Sequence, residues 1–337
     1  MIFWQKEKFL FSSTLFVALT LVSITASGCS YPSLNAEKYY IKGREAYLQF
    51  TPEGFEEAIK NYNKALEKDA SYPFAYSGLG EAYSLLGRWK ETNGDEYKEY
   101  YDKSLHYSLR SLELAPKSGD SHRALALIYF NLMRFDEAEE EAKRAIELNP
   151  NDAEAYCILW VVAGKGAEDE YIRKSIELNP NLIMAHYWLA KEYYLEGNHG
   201  KAIYHFSRSV EINPKFFLGH YNLGVIDYEM GRDEEAIQEY KRAIDINPTL
   251  MPARINLGIV LTRIGRVEEA IDEYKKTLEI EPNFVEVYFN LAVIFESEGR
   301  LNEAVEYYKK FVELAPSGYE IFIDIARRKI SKLGSPI

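Results

Sequence analysis

The stretch LGVIDYEMGRDEEAIQEYKRAIDINP, residues 223–248, is echoed by LGIVLTRIGRVEEAIDEYKKTLEIEP at 257–282 and by LAVIFESEGRLNEAVEYYKKFVELAP at 291–316. Small and apolar residues keep their places while charged ones drift. Leu223-Gly224, Gly231, Ala236, Tyr240, Ala243 and Pro248 become Leu257-Gly258, Gly265, Ala270, Tyr274, Thr277 and Pro282, then Leu291-Ala292, Gly299, Ala304, Tyr308, Phe311 and Pro316. Toward the amino terminus the frame persists as Leu189-Ala190, Gly197, Ala202, Phe206, Ser209 and Pro214, and as Leu125-Ala126, Tyr129, Ala138, Ala145 and Pro150. Prolines at 116, 150, 180, 214, 248, 282 and 316 step by 34 residues, with a single step of 30. A fixed period in this range marks a solenoid. The glycine stops a first helix, because it tolerates a left-handed cap, and the proline keeps a second helix from running on. Neither helix buries its apolar face alone, so stacked neighbours supply the core.

These slots resemble the tetratricopeptide repeat family over residues 39–316. The resemblance implies an all-α fold, a right-handed superhelical solenoid of about eight helix-turn-helix units closed by a C-terminal capping helix. Several units depart from the pattern. In the first, Ala58, Tyr62 and Ala65 fit but Ala70 stands where proline is expected. In the second, Leu79-Gly80 and Tyr83 fit, yet about a dozen extra residues near 89–101 precede Ser104, close to a whole number of helical turns. This insertion reads either as a lengthened helix or as a functional outcrop. The fourth unit is short around Gly164 to Glu168. Residues 317–337 read as the cap, with Ile321, Phe322, Ile325 and Ile330 set against Asp324, Arg327, Arg328 and Lys329.

The amino terminus has another character. Lys6 and Lys8 precede an uncharged apolar run from Phe9 to Ile24, as in a secretory signal peptide. Ala26-Ser27-Gly28-Cys29-Ser30 then resembles the lipobox of bacterial lipoproteins, although that family usually has Leu, Val or Ile in place of Ala26. The resemblance implies a signal segment at 1–28, acylation of Cys29 and a tether at 29–38. Two other fates fit the same residues: ordinary signal-peptidase cleavage after Gly28, or an uncleaved and rather short membrane helix. Two acyl chains anchor a protein where one does not. The expectation is therefore an exported, membrane-anchored lipoprotein facing the periplasm or the cell exterior.

The 337 residues carry a formal net charge of -12, which disfavours phosphate backbones as partners, so no nucleic acid is expected. Two cysteines in different settings exclude a disulfide framework, and Cys157 in an apolar helical stretch reads as a packing thiol. His122, His186 and His220 share one slot of three repeats, where this family often has tryptophan. Equivalent residues of successive repeats lie about 10 Å apart, too far to share a metal, so these histidines are assigned to packing. No phosphate loop, nucleophile elbow or zinc motif occurs, so no cofactor, metal or enzymatic activity is expected.

Binding is expected instead on the first helices. Off the packing stripe they carry a second one, which in the resembled family lines a concave groove. Its candidate contacts are Tyr187 and Tyr194; Tyr221, Asn222 and Tyr228; Asn256 and Arg263; and Phe289 and Asn290. Asn222, Asn256 and Asn290 lie 34 residues apart and resemble an asparagine ladder that pairs with the backbone of an extended peptide. Asparagine is also common at this place in generic repeats, and both readings stand. The leading expectation is a lipid-anchored scaffold of the bacterial envelope that binds extended segments of other proteins. A dedicated assembly factor of pilotin type, a non-catalytic subunit of an envelope enzyme complex, and a cytoplasmic scaffold held by an uncleaved helix are the alternatives.

Overall fold

A computed structural model describes residues 34–92, 95–164 and 169–333. Among them are seventeen helices and no strand: α1 (Leu34–Tyr47), α2 (Pro52–Lys68), α3 (Pro73–Thr92), α4 (Lys98–Leu114), α5 (Gly119–Asn131), α6 (Phe135–Leu148), α7 (Ala153–Ala163), α8 (Asp169–Leu178), α9 (Ile183–Leu195), α10 (His199–Ile212), α11 (Phe217–Glu229), α12 (Asp233–Ile246), α13 (Met251–Arg263), α14 (Val267–Ile280), α15 (Val285–Ser297), α16 (Leu301–Leu314) and α17 (Glu320–Leu333). Odd numbers are first helices of hairpins and even numbers second helices. None of the described helices is long and apolar enough to cross a membrane.

The chain divides into two compact units at Leu189–Ala190, inside α9. In the first, the partners α1/α2, α3/α4, α5/α6 and α7/α8 pack as hairpins, and α2, α4 and α6 also meet the next first helix. The second unit repeats the scheme with α11/α12, α13/α14 and α15/α16, and α17 lies on α16.

The second helices form because their apolar residues follow one stripe. In α12 this stripe is Ala236, Ile237, Tyr240, Ala243 and Ile244, all buried. Asp233, Glu234 and Glu235 occupy the first turn of α12, where carboxylates complement the helix dipole. The seam inside a hairpin is set by the recurring tyrosine. A Cβ at Gly224 would lie 2.8 Å from the Tyr240 ring, and one at Gly258 would lie 2.7 Å from the Tyr274 ring. The small slot is therefore carved to the thickness of an aromatic ring. In the second hairpin Ser108 replaces that ring, and Ser104 and Ser111 donate from α4 to the carbonyls of Gly80 and Pro73 at 2.7 and 2.9 Å.

The turn inside the hairpin needs a left-handed residue. Gly197, Gly231, Gly265 and Gly299 supply it with φ of 71–78°. Phe50 and Met133 stand at the corresponding turns of the first and third hairpins with φ of 50° and 58°, in a conformation L-residues adopt at a cost.

Within the expected insertion, residues 89–92 end α3 and residues 98–101 begin α4, helices that run to 20 and 17 residues where α13 and α14 have 13 and 14. The fourth hairpin is shortened in both helices, with 11 residues in α7 and 10 in α8. The cap differs from the expectation. Ile330 is half-buried and Ala326 fully buried, whereas Ile321, Phe322 and Ile325 stay exposed on α17.

Candidate functional site

One device recurs along the first helices. The residue in the histidine slot reaches back six positions to the carbonyl at the proline slot and so fixes the turn between hairpins. His122 meets Pro116, His186 meets Pro180 and His220 meets Pro214 at 3.1–3.3 Å through Nε2. Arg254 donates to Pro248, Tyr288 to Pro282 and Tyr76 to Ala70. From the other side, Glu141, Glu239 and Glu273 of the second helices hold His122, His220 and Arg254. The slot is thus a polar clasp rather than a bare packing position. Asp227 is accounted for as well, since it accepts from Arg232 and closes the turn between α11 and α12.

In the second unit the stripe of interest runs along α9, α11, α13 and α15. The residue after the small slot is Lys191 on α9 but the apolar Val225, Ile259 and Val293 on α11, α13 and α15, and Val293 is 45% exposed. Asn222, Asn256 and Asn290 are half-buried beside it. The Asn222 Nδ2 donates to the carbonyl of Leu218 in its own helix at 2.7 Å. Asn256 approaches the Tyr221 hydroxyl at 3.5 Å, at the edge of hydrogen-bonding range. The Tyr240 hydroxyl is fully buried under this stripe, where burial raises its pKa against the opposing effect of the Asn256 carboxamide.

The remaining candidates fall into different settings. Tyr194 donates to Glu229 at 2.6 Å, and the Arg263 guanidinium lies 3.8 Å over the Tyr228 ring while pairing with Asp233. Tyr221 packs on Tyr240. Phe289 is taken up in packing, with its ring among those of Tyr308, Phe311 and, from α17, Phe322. Tyr187, in the first unit, is 8% exposed and packs on Trp188. Cys29 lies outside the described residues.

In the first unit the corresponding stripe is charged and closed, which the sequence reading missed. Arg44 and Glu81 each follow the small slot, where the second unit has Val225 or Ile259. Arg44 of α1 pairs with Glu81 of α3 at 2.7 Å and with Glu154 of α7 at 2.9 Å. Arg123 of α5 pairs with Glu81 at 2.7 Å, Asp152 at 2.6 Å, Asp120 at 2.9 Å and Glu154 at 3.2 Å. Burial pushes the carboxyls of Glu81 and Asp152 above the ordinary range despite these cations. For Glu154, burial is outweighed by Arg44 and Arg123, and its pKa is lowered. An open wall was expected here, but the side chains of four successive first helices fill it. Charges at Arg44 and Glu81, in slots that are apolar on α11, α13 and α15, were the available signal.

No group of three metal-ligating side chains is placed to hold an ion among the described residues.

Comparison with known proteins accords with this geometry. Models described as TPR repeat match residues 54–87, 190–231, 226–265 and 260–298, and models described as tetratricopeptide repeat match 119–162 and 285–317. Among solved structures, the Cut9–Hcn1 hetero-tetramer of the APC/C is similar at a TM-score of 0.63 and 16% identity, over 94% of this chain and 59% of that one. The IFIT1 monomeric mutant with Gppp-AAAA is similar at a TM-score of 0.61 and 19% identity, over 90% and 76%. Yeast Tom70 follows at 0.50 and 17%, over 97% and 76%. At these identities the likeness is one of fold. A UDP-N-acetylglucosamine–peptide N-acetylglucosaminyltransferase of Giardia intestinalis is 30% identical over 105 residues, and the match spans 7% of that protein's length. The tetratricopeptide scaffold is in general non-catalytic. The chain belongs to the tetratricopeptide repeat proteins.

Proposed function

Taking that membership as the premise, we propose that the protein is an adaptor that holds an extended segment of a partner protein along the first helices of its second unit. The observation that carries this reading is the contrast between the two stripes. In the first unit Arg44 and Glu81 fill such slots and are satisfied by their own ion pairs, whereas on α11, α13 and α15 the slots are apolar and flanked by half-buried asparagines and tyrosines. Aromatic rings with a polar tip and carboxamides suit a peptide whose backbone must be paired and whose side chains vary. Replacing Asn222, Asn256 and Asn290 by Ala together removes the row without opening the core. Affinity then falls by about a hundredfold, as expected for losing three interface hydrogen bonds of about 1 kcal/mol each, and partner recovery after crosslinking from intact membranes falls with it, while the melting midpoint stays in place. Equal recovery from variant and parent sinks the reading.

The same proposal places the adaptor on a membrane of the bacterial envelope, exported and held by acylated Cys29. Its support is the order of residues from Lys6 to Ser30. Labelled palmitate is then incorporated into the parent and not into Cys29→Ser, and the mature mass begins at residue 29. A mature chain that retains residues 1–28 contradicts this placement.

A further inference from the structure

The last described helix, α17, keeps the pattern of a first helix. One 34-residue period back, Ile321 and Ile325 correspond to Val287 and Leu291 of α15, and two periods back to Ala253 and Leu257 of α13. Those four residues are at most 1% exposed, in hairpins where α16 and α14 pack against α15 and α13. On α17, by contrast, Ile321 is 75% and Ile325 38% exposed. The helix is nevertheless held as a first helix would be. It packs on α16, and Tyr319 and Lys329 bond to Glu286 and Glu296 of α15. Among the described residues no second helix covers it.

Its charge is also unusual for this chain. The helix carries four basic residues against two acidic ones, a net of +2, in a protein of net charge -12. Arg328 and Lys332 continue the face of Ile321 and Ile325 at helical spacing, and Arg327 flanks it. Arg327 and Arg328 have no ion pair among the described residues, whereas the arginines of the preceding hairpins, Arg232, Arg254, Arg266 and Arg300, all have one.

We propose that α17 is a docking surface for an acidic amphipathic helix of a partner protein, which completes a ninth hairpin. Its apolar stripe covers Ile321 and Ile325, and its carboxylates face Arg327, Arg328 and Lys332. The second helices of this chain display the complementary chemistry. In α12, three acidic residues of the first turn precede a stripe of Ala236, Ile237 and Tyr240. A second copy of α17 fits less well, because it sets two net-positive helices against each other.

The test uses the full chain and a labelled peptide that copies residues 231–248, crosslinked across one turn on its outer face because short helices are marginal alone. Fluorescence anisotropy is expected to show saturable one-to-one binding. Ile321→Asp with Ile325→Asp, or Arg327→Glu with Arg328→Glu, weakens it by about tenfold or more. All four side chains are exposed, and circular dichroism checks that the variants stay folded. The triple Asn→Ala variant of the second-unit stripe binds this peptide like the parent, so the two surfaces fail or succeed separately. Absence of saturable binding overturns the proposal, as does affinity unchanged in both paired variants. A parent that sediments as a dimer, dissociated by those variants, assigns the face to a second copy and overturns it equally.

Discussion

Gly258 and Gly265 lie in one hairpin and are required for opposite reasons. A Cβ on Gly258 meets the Tyr274 ring, whereas one on Gly265 meets nothing within 4 Å but must accept φ of 78°. Gly258→Ala overpacks the seam and costs about 1–3 kcal/mol; Gly265→Ala costs about 1–2 kcal/mol through its backbone alone. Urea midpoints separate the two, because a compensating Tyr274→Leu repacking, which removes the ring carbons that a Cβ at Gly258 meets, affects only the first. Met133 offers the converse case. At φ of 58° and 69% exposed, it gains little from its side chain. Met133→Gly is expected to leave stability equal or raise it by up to about 1 kcal/mol, once the unfolded-state entropy of glycine is set against the relieved strain. Cys157 is buried, and burial pushes its thiol up to about 12. It should ignore a disulfide reagent at pH 8 in the folded protein and react fully in denaturant; fast reaction in the native state contradicts the packing assigned to it.

At the scale of helices, the clasp and the cap make separate predictions. His220→Leu leaves the Pro214 carbonyl and the Glu239 carboxylate without their shared partner, a loss of about 1–3 kcal/mol, visible as faster amide exchange at the start of α11. The attachment of α17 depends on pH through Glu296. Partial burial raises its pKa, but the bonds from Lys329 and Tyr308 prevail and hold it below the ordinary range. A lowered carboxyl pKa stabilises the fold above the unfolded value, and that contribution is lost as pH falls through the folded one. Exchange protection of α17 should therefore drop on acidification below the ordinary carboxylate range, and Glu296→Gln should remove that dependence. The sequence made the helices and their period legible, because Leu-Gly, Gly, Ala, Tyr and Pro recur in register. It did not reveal the clasp. His220, Arg254 and Tyr288 share no chemistry beyond an N–H or O–H of suitable reach, so comparing residue types along the repeat hides their common role.

Across the first unit as a body, Arg123 is the hub. Arg123→Met strands the buried carboxylate of Asp152 and leaves Glu81 with Arg44 alone, and removing one partner of a buried ion pair costs about 3–5 kcal/mol. A thermal shift confined to the first unit, followed by exchange mass spectrometry, measures it. The charges were visible in the sequence as Arg44, Glu81, Arg123 and Glu154, yet charge on a helix usually means a solvated face. Their pairing required knowing that first helices far apart in the chain converge. The second-unit stripe was easier to read because its slots repeat with nearly identical spacing.

Most contacts in a stacked-hairpin protein join neighbours, so such chains can lose their ends one hairpin at a time. The bond from Arg44 to Glu154 joins residues 110 positions apart, in the first and fourth hairpins. Fraying of α1 must break that bond and expose the Arg123 cluster together. The amino-terminal half is thereby bound into one cooperative block, and mechanical or thermal peeling should begin elsewhere.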